Sequence, residues 1–172
     1  MTLTDKRILI TGGGTGAGAD LARGFAAAGA EVVISGRRLA PLEEVAKATG
    51  ARVVQADVTD EASVQAMFAA AGPCDIVIAN AGISVGTLAH EADDMAALRR
   101  VFETNVAGMA QTFQPFIAAM KARGSGRLVG IASVAGIRGL PGAEAYSASK
   151  AAAIAYLESL RLEMRPYGIK VV

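Results

Sequence analysis

Short β-branched runs alternate along this chain with longer alanine-rich amphipathic stretches, and that alternation restricts the available folds more than any other feature. The runs read as strands near 7–11, 31–35, 52–56, 75–79, 127–132 and 169–172. They are nearly continuous in apolar residues rather than alternating, as strands covered on both faces need to be. Helices are expected near 16–28, 40–49, 61–71, 94–123 and 145–165, with stops at Gly29, Gly50, Gly72-Pro73, Gly124 and Gly168. Strand–helix alternation at this pitch predicts right-handed crossovers and a doubly wound parallel α/β sheet with helices on both faces. The fourth helical stretch carries Gly108 and Pro115, which predict a kink or a split. At 172 residues the chain is long enough for one domain with a sizeable core.

Charge and cysteine content narrow the chemistry. A net charge of +1 gives no basic surface for nucleic acid or for an anionic membrane. Cys74 is the only cysteine, which excludes an internal disulfide and a cysteine-based zinc site, and it is expected as a buried small hydrophobe. No run of about 18 uncharged apolar residues is present to cross a membrane. Residues 1–7 contain no apolar leader segment, so a cytoplasmic location is expected. His90, the only histidine, reads as an exposed loop residue. Glu91, Asp93 and Asp94 read as caps of the next helix, and with one imidazole available no metal site is expected. Met95, Met109 and Met120 read as packing residues.

The first strand runs into Thr11-Gly12-Gly13-Gly14-Thr15-Gly16-Ala17-Gly18 before the first helix begins. Glycines there permit a tight turn and close approach to a pyrophosphate, and the helix offers unpaired N–H groups with the positive end of its dipole. Gly12-x-Gly14-x-x-Ala17 satisfies the dinucleotide fingerprint loosely, in the strand-to-helix context that such a fingerprint requires. After the second strand an NAD-type site carries an acidic residue for the ribose 2′-hydroxyl, and this chain has Gly36-Arg37-Arg38 instead. Two guanidiniums suit a 2′-phosphate, so NADP(H) is expected over NAD(H). One of the two arginines also admits a reading as plain surface charge.

Tyr146 and Lys150 are four residues apart, which puts phenol and ammonium on one helix face. A free phenol titrates near 10, and a neighbouring cation favours its ionised form. Lowering that pKa by roughly three units needs about 4 kcal/mol, more than one solvated charge supplies, so a partly buried site is implied. Ser133 stands thirteen residues upstream of Tyr146. Ser147 reads as a helix-cap or surface serine, and Ser149 admits the same reading.

With Thr11-Gly12-x-x-x-Gly16-x-Gly18, Asp57-Val58, Asn80-Ala81-Gly82, Asn105, Ser133 and Tyr146-x-x-x-Lys150 in this order, the whole chain resembles a short-chain dehydrogenase/reductase of the common type. The resemblance implies a Rossmann fold and NADP(H)-dependent interconversion of a ketone or aldehyde with its alcohol. Tyr146 would then be the general acid or base, and Ser133 would position the substrate oxygen. Lys150 would bind the nicotinamide ribose and depress the Tyr146 pKa, with Asn105 holding a relay water. Asp57 and Val58 would bind the adenine, and Asn80, Ala81 and Gly82 would line the nucleotide. A homodimer or homotetramer through the long helices is also implied.

Residue 79 is Ala where many relatives have a second Asn, and the chain stops at Lys170-Val171-Val172 inside the sixth strand. Family members continue with a substrate-covering segment and a seventh strand. The resemblance therefore implies a single dinucleotide-binding domain over 1–172 without those parts. The alternative reading is a truncated, catalytically weak or inactive dinucleotide-binding or oligomerising domain. An epimerase or dehydratase relative is a third reading, opposed by the short length and the compact glycine motif. The loops 84–94 and 136–144 are expected to shape the substrate pocket. Apolar residues in 136–141 hint at an apolar substrate.

Overall fold

The computed structural model describes residues 3–172 and contains a six-stranded, wholly parallel sheet in the order β3-β2-β1-β4-β5-β6. The strands are β1 (Arg7–Thr11), β2 (Glu31–Gly36), β3 (Arg52–Gln55), β4 (Ile76–Ala79), β5 (Gly126–Gly130) and β6 (Ile169–Val171). Between them lie α1 (Gly16–Ala27), α2 (Leu39–Thr49), α3 (Glu61–Ala71), α4 (Asp94–Phe102), α5 (Gly108–Arg123) and α6 (Glu144–Met164). The expected doubly wound architecture is present. Strand order reverses between β1 and β4, so loops leaving their carboxyl ends diverge and open a crevice there.

Successive side chains of each strand enter opposite layers. Ile8, Ile10, Ile34, Ile76 and Ile78 pack with Ala19 and Ala22 of α1 and Leu42 and Val45 of α2. Leu9, Val33, Val77 and Leu128 pack with Met67, Phe113, Phe116 and Leu157 from α3, α5 and α6. This two-sided burial is why the strands are continuously apolar, each large side chain contributing roughly 1.5–3 kcal/mol when fully covered. Cys74, Met109 and Met120 are buried as expected, whereas Met95 is exposed. Burial pushes the Cys74 thiol up to about 11, so it stays protonated at neutral pH.

Helix ends are held by specific donors. Asp60 caps α3 by accepting the Ser63 N–H at 2.9 Å, and Arg52 closes the other end on the Ala70 and Ala71 carbonyls. The acidic cluster departs from its expected capping role. Asp93 occupies the position before α4 without a side-chain cap bond, while Asp94 accepts the Leu88 N–H at 2.7 Å and fastens the preceding loop. Glu91 pairs at 3.4 Å with His90, which is exposed as expected.

The long fourth helical stretch does split, though Pro115 does not cause it. A π-helical turn, Glu103–Ala107, separates α4 from α5, and Pro115 sits inside an unbroken α5. Gly108 follows that turn because a Cβ there would lie 2.8 Å from Val58 Cγ2. Ser147 and Ser149 also depart from the surface reading, since both are buried. β5 ends at Gly130, two residues earlier than expected. Ile131 still donates to Ala79, but its carbonyl turns away to accept from Lys150.

Two glycines of α1 predict opposite outcomes. A Cβ at Gly18 would sit 2.2 Å from the Gly12 carbonyl oxygen, whereas one at Gly24 would meet nothing within 4 Å. Urea denaturation should therefore show Gly18→Ala destabilising the fold by on the order of 1–3 kcal/mol. Gly24→Ala should stabilise it by about 0.5–1 kcal/mol.

Candidate functional site

A cleft of about 430 Å³ opens at the carboxyl ends of β1–β4. It brings together Gly12, Gly14, Thr15, Ala17, Gly18, Arg37, Arg38, Asp57, Val58, Asn80, Ala81 and Gly82, all singled out from the sequence. Gly16, the first residue of α1, does not line the cleft, and Ser133, Tyr146 and Lys150 stand outside its walls. Sequence reasoning missed Pro41 and Leu42 of α2, and Ile83 and Thr104 at the far end. The last two had a signal, since each directly neighbours a residue that was identified.

The floor of the cleft is cross-braced. Thr11 Oγ1 accepts the N–H groups of Asn80 and Ala81, each at 3.2 Å, while Asn80 Nδ2 donates to the Thr11 and Gly12 carbonyls at 2.9 and 3.2 Å. A Cβ at Gly12 would lie 2.9 Å from Asn80 Nδ2, so only glycine permits this contact. Beside the brace, α1 presents its first amides without a side-chain cap from Thr15 and without an acidic residue in its first turn. Such uncapped amides attract an anion.

At the β2–β3 end, Gln55 Nε2 donates to the Arg37 carbonyl at 2.8 Å and fixes the backbone under the arginine pair. The Arg37 side chain is 64% exposed and lies 3.9 Å from the Asp57 carboxylate. Partial burial pushes Asp57 upward. The Thr59 N–H and hydroxyl, together with the Arg37 charge, outweigh that effect and hold it below the usual carboxylate range. Asp57 therefore stays an ionised acceptor at neutral pH.

Outside the walls of the cleft, α6 carries Tyr146 half-buried and Lys150 only 5% exposed. The Lys150 ammonium lies 5.7 Å from the Tyr146 ring centroid and donates to the Ile131 carbonyl at 2.6 Å. Burial depresses the Lys150 pKa. Ser133 precedes a short 3₁₀ turn, Val134–Gly136, and its hydroxyl accepts the Ala135 N–H at 3.2 Å. A Cβ at Gly136 would meet the Lys150 carbonyl carbon at 2.7 Å, so this turn rests directly on the α6 backbone. Asn105, on the π-helical turn, is 1% exposed and joins the two ends. Its Oδ1 accepts the Ile83 N–H at 2.8 Å, and its Nδ2 donates to the Ile83 carbonyl at 2.9 Å and to Ser149 at 3.0 Å.

The loops 84–94 and 136–144 are tied together. Thr87 donates to the Gly142 carbonyl at 3.1 Å, and Ser147 accepts the Leu140 N–H at 3.1 Å. Among the described residues, no group of three His, Cys, Asp or Glu side chains clusters to hold a metal, and no helix is long and apolar enough to cross a membrane.

Residues 6–172 match the model of the family described as short chain dehydrogenase. A Myxococcus xanthus protein described as an uncharacterized oxidoreductase is 40% identical over 175 residues, covering 96% of this chain and 69% of the relative. A ketoacyl reductase of Nostoc sp. is 34% identical, covering 99% of this chain and 62% of the relative. Among solved structures, a 3-ketoacyl-(acyl-carrier-protein) reductase from Brucella melitensis complexed with NADH superposes with a TM-score of 0.94 at 34% identity, covering 98% of this chain and 74% of that one. A Beutenbergia cavernae protein with NADP bound at low occupancy superposes at 0.92 with 32% identity, covering 99% and 71%.

The buried ammonium generates a pH prediction. A depressed lysine pKa means that the unfolded chain holds this proton more tightly than the folded one, so stability rises with pH between the depressed value and the unfolded value near 10.4. Calorimetry should show that rise in the parent and a flatter profile in Lys150→Met. The variant should also melt at the higher temperature near neutral pH.

Proposed function

The chain belongs to the short-chain dehydrogenase family, and on that premise we propose that it is an NADP(H)-dependent oxidoreductase interconverting a ketone or aldehyde and its alcohol. The observation that carries this reading is the nearly buried Lys150 ammonium beside the half-buried Tyr146 phenol, on a helix bonded to the end of the dinucleotide cleft. The residues present suit the cofactor. The uncapped amides of α1 and the close-packed glycines suit its pyrophosphate, Arg37 and Arg38 its 2′-phosphate, and the ionised Asp57 its adenine amino group.

Bound there, the nicotinamide supplies or accepts a hydride. The chain's own residues handle the proton and the geometry. Tyr146 exchanges a proton with the substrate oxygen, and Ser133 hydrogen-bonds that oxygen and sets its direction. The Lys150 ammonium lies 5.7 Å from the Tyr146 ring and, once turned from the Ile131 carbonyl, can hold ribose hydroxyls. Asn105 keeps the Ile83 wall in register.

Arg37 gives the cofactor preference a physical basis. Its guanidinium lies 3.9 Å from Asp57 and is otherwise largely exposed, so it can reach a 2′-phosphate without losing a buried partner. No acidic residue stands at 36–38 to repel that phosphate. No observation favours a module without turnover, since Asn105, Ser133, Tyr146 and Lys150 are all present. Assembly into a homodimer or homotetramer through α4, α5 and α6 belongs to the same proposal, and light scattering reads it directly.

Titration should find NADPH bound at least about tenfold tighter than NADH, with Arg37→Asp erasing the gap. Turnover across a carbonyl panel should fall at least about a hundredfold in Tyr146→Phe while NADPH affinity is nearly unchanged. Equal affinities in the parent would remove the NADP(H) assignment. Normal kcat in Tyr146→Phe would remove the chemistry.

A further inference from the structure

A chain of polar contacts crosses the interior beside the proposed site and passes through one residue that has no role in the reading above. Ser149 is fully buried. Its hydroxyl donates to the Tyr146 carbonyl at 2.7 Å and accepts from Asn105 Nδ2 at 3.0 Å. A hydroxyl has one proton to give, so its direction is set, with the proton on Tyr146 and a lone pair facing Asn105.

Two consequences follow from where these contacts fall. The Tyr146 carbonyl is also the acceptor that helix geometry assigns to the Lys150 N–H, so Ser149 touches the peptide group that spans the Tyr146–Lys150 turn. Asn105 spends its oxygen and one amide hydrogen on the two polar groups of Ile83, as a neighbouring strand would. Ser149 takes the remaining amide hydrogen and so holds the plane of that amide against α6. At Lys150, α6 is also packed closely by Gly136 and tethered to the Ile131 carbonyl. The turn bearing phenol and ammonium is thus held at several points, and Ser149 is its link to Asn105.

Resting on the oxidoreductase reading, we propose that Ser149 is a positioning residue, coupling the Tyr146–Lys150 turn of α6 through the Asn105 amide to the Ile83 wall of the dinucleotide cleft. Without the hydroxyl, one hydrogen of the buried Asn105 amide loses its partner. The amide can then rotate to find another, and rotation releases Ile83. A serine that only satisfied a local helical turn would leave Ile83 indifferent to its removal.

The test reads Ile83 directly in the cofactor-free protein. Amide hydrogen exchange in folded Ser149→Ala should be at least about tenfold faster at Ile83 than in the parent, with Val77 and Ile78 of β4 unchanged. Ser149→Thr, which keeps the hydroxyl, should restore the parent rate. In the holoenzyme kcat should fall about tenfold or more in Ser149→Ala, and the loss should vanish when Asn105 is already alanine, because the two residues act as a unit. Unchanged Ile83 exchange in Ser149→Ala, or additive losses in the double variant, would overturn the coupling. If Ser149→Ala does not fold, Ser149→Cys keeps the volume with a much weaker hydrogen-bonding group and is read in the same way. Because exchange at Ile83 needs no turnover, the proposal stands or falls separately from the Tyr146→Phe result.

Discussion

Everything at the carboxyl edge of the sheet depends on the brace between Thr11 and Asn80. Strand order reverses between β1 and β4, and the loops leaving these neighbours turn to opposite sides. An unbraced crevice there would expose the last carbonyls of β1. Instead, Asn80 covers the Thr11 and Gly12 carbonyls with its amide, and the Thr11 hydroxyl holds the Asn80 and Ala81 N–H groups. With the two loops bonded, Gly18 can pack against Gly12 so closely that no Cβ fits, and the first amides of α1 reach the cleft. The glycine-rich turn is close-packed and hydrogen-bonded for this reason.

The Arg37 end of the cleft and the α6 helix outside its walls solve opposite electrostatic problems. At the Arg37 end the charges are solvated, and Asp57 is kept ionised by hydrogen bonds more than by its distant arginine. At the α6 end a lysine is carried into the interior with a single carbonyl partner, which disfavours its charge and destabilises the fold. Groups perturbed in this way cluster at functional sites. Tyr146, half-buried on the same helix face, is positioned to share the field of that charge.

Much of this was legible in the residues. The six strands follow from apolar runs buried on both sides, and the cleft from glycines placed between a strand and a helix. Gly12, Gly14 and Arg37 converge as their places after the first two strands implied, and Asp57 and Asn80 join them as the family resemblance implied. Other features depend on contacts distant in sequence. Helical periodicity across 94–123 does not distinguish an α-turn from the π-turn at Glu103–Ala107, which is set by Asn105 reaching Ile83 and by Gly108 resting on Val58. A serine in a helix reads as a surface residue by default. Ser149 is buried because its partner, Asn105, lies 44 positions away. Asp94 was recognised as a helix-start residue, yet its carboxylate serves the Leu88 amide of the incoming loop.

In the proposed function, one continuous dinucleotide site runs from the Arg37 end to the Tyr146–Lys150 helix. Amide hydrogen exchange with two ligands tests it most directly. Adenosine 2′,5′-bisphosphate, the adenine end of the cofactor, should slow exchange at Gly36–Arg38 and Asp57–Thr59 and leave Ile83 and Ser133–Arg138 unchanged. Whole NADPH should slow both sets, together with Gly12–Gly18. Whole cofactor that protects no more of the chain than its adenine fragment would contradict the account, because the α6 end would then not belong to the site.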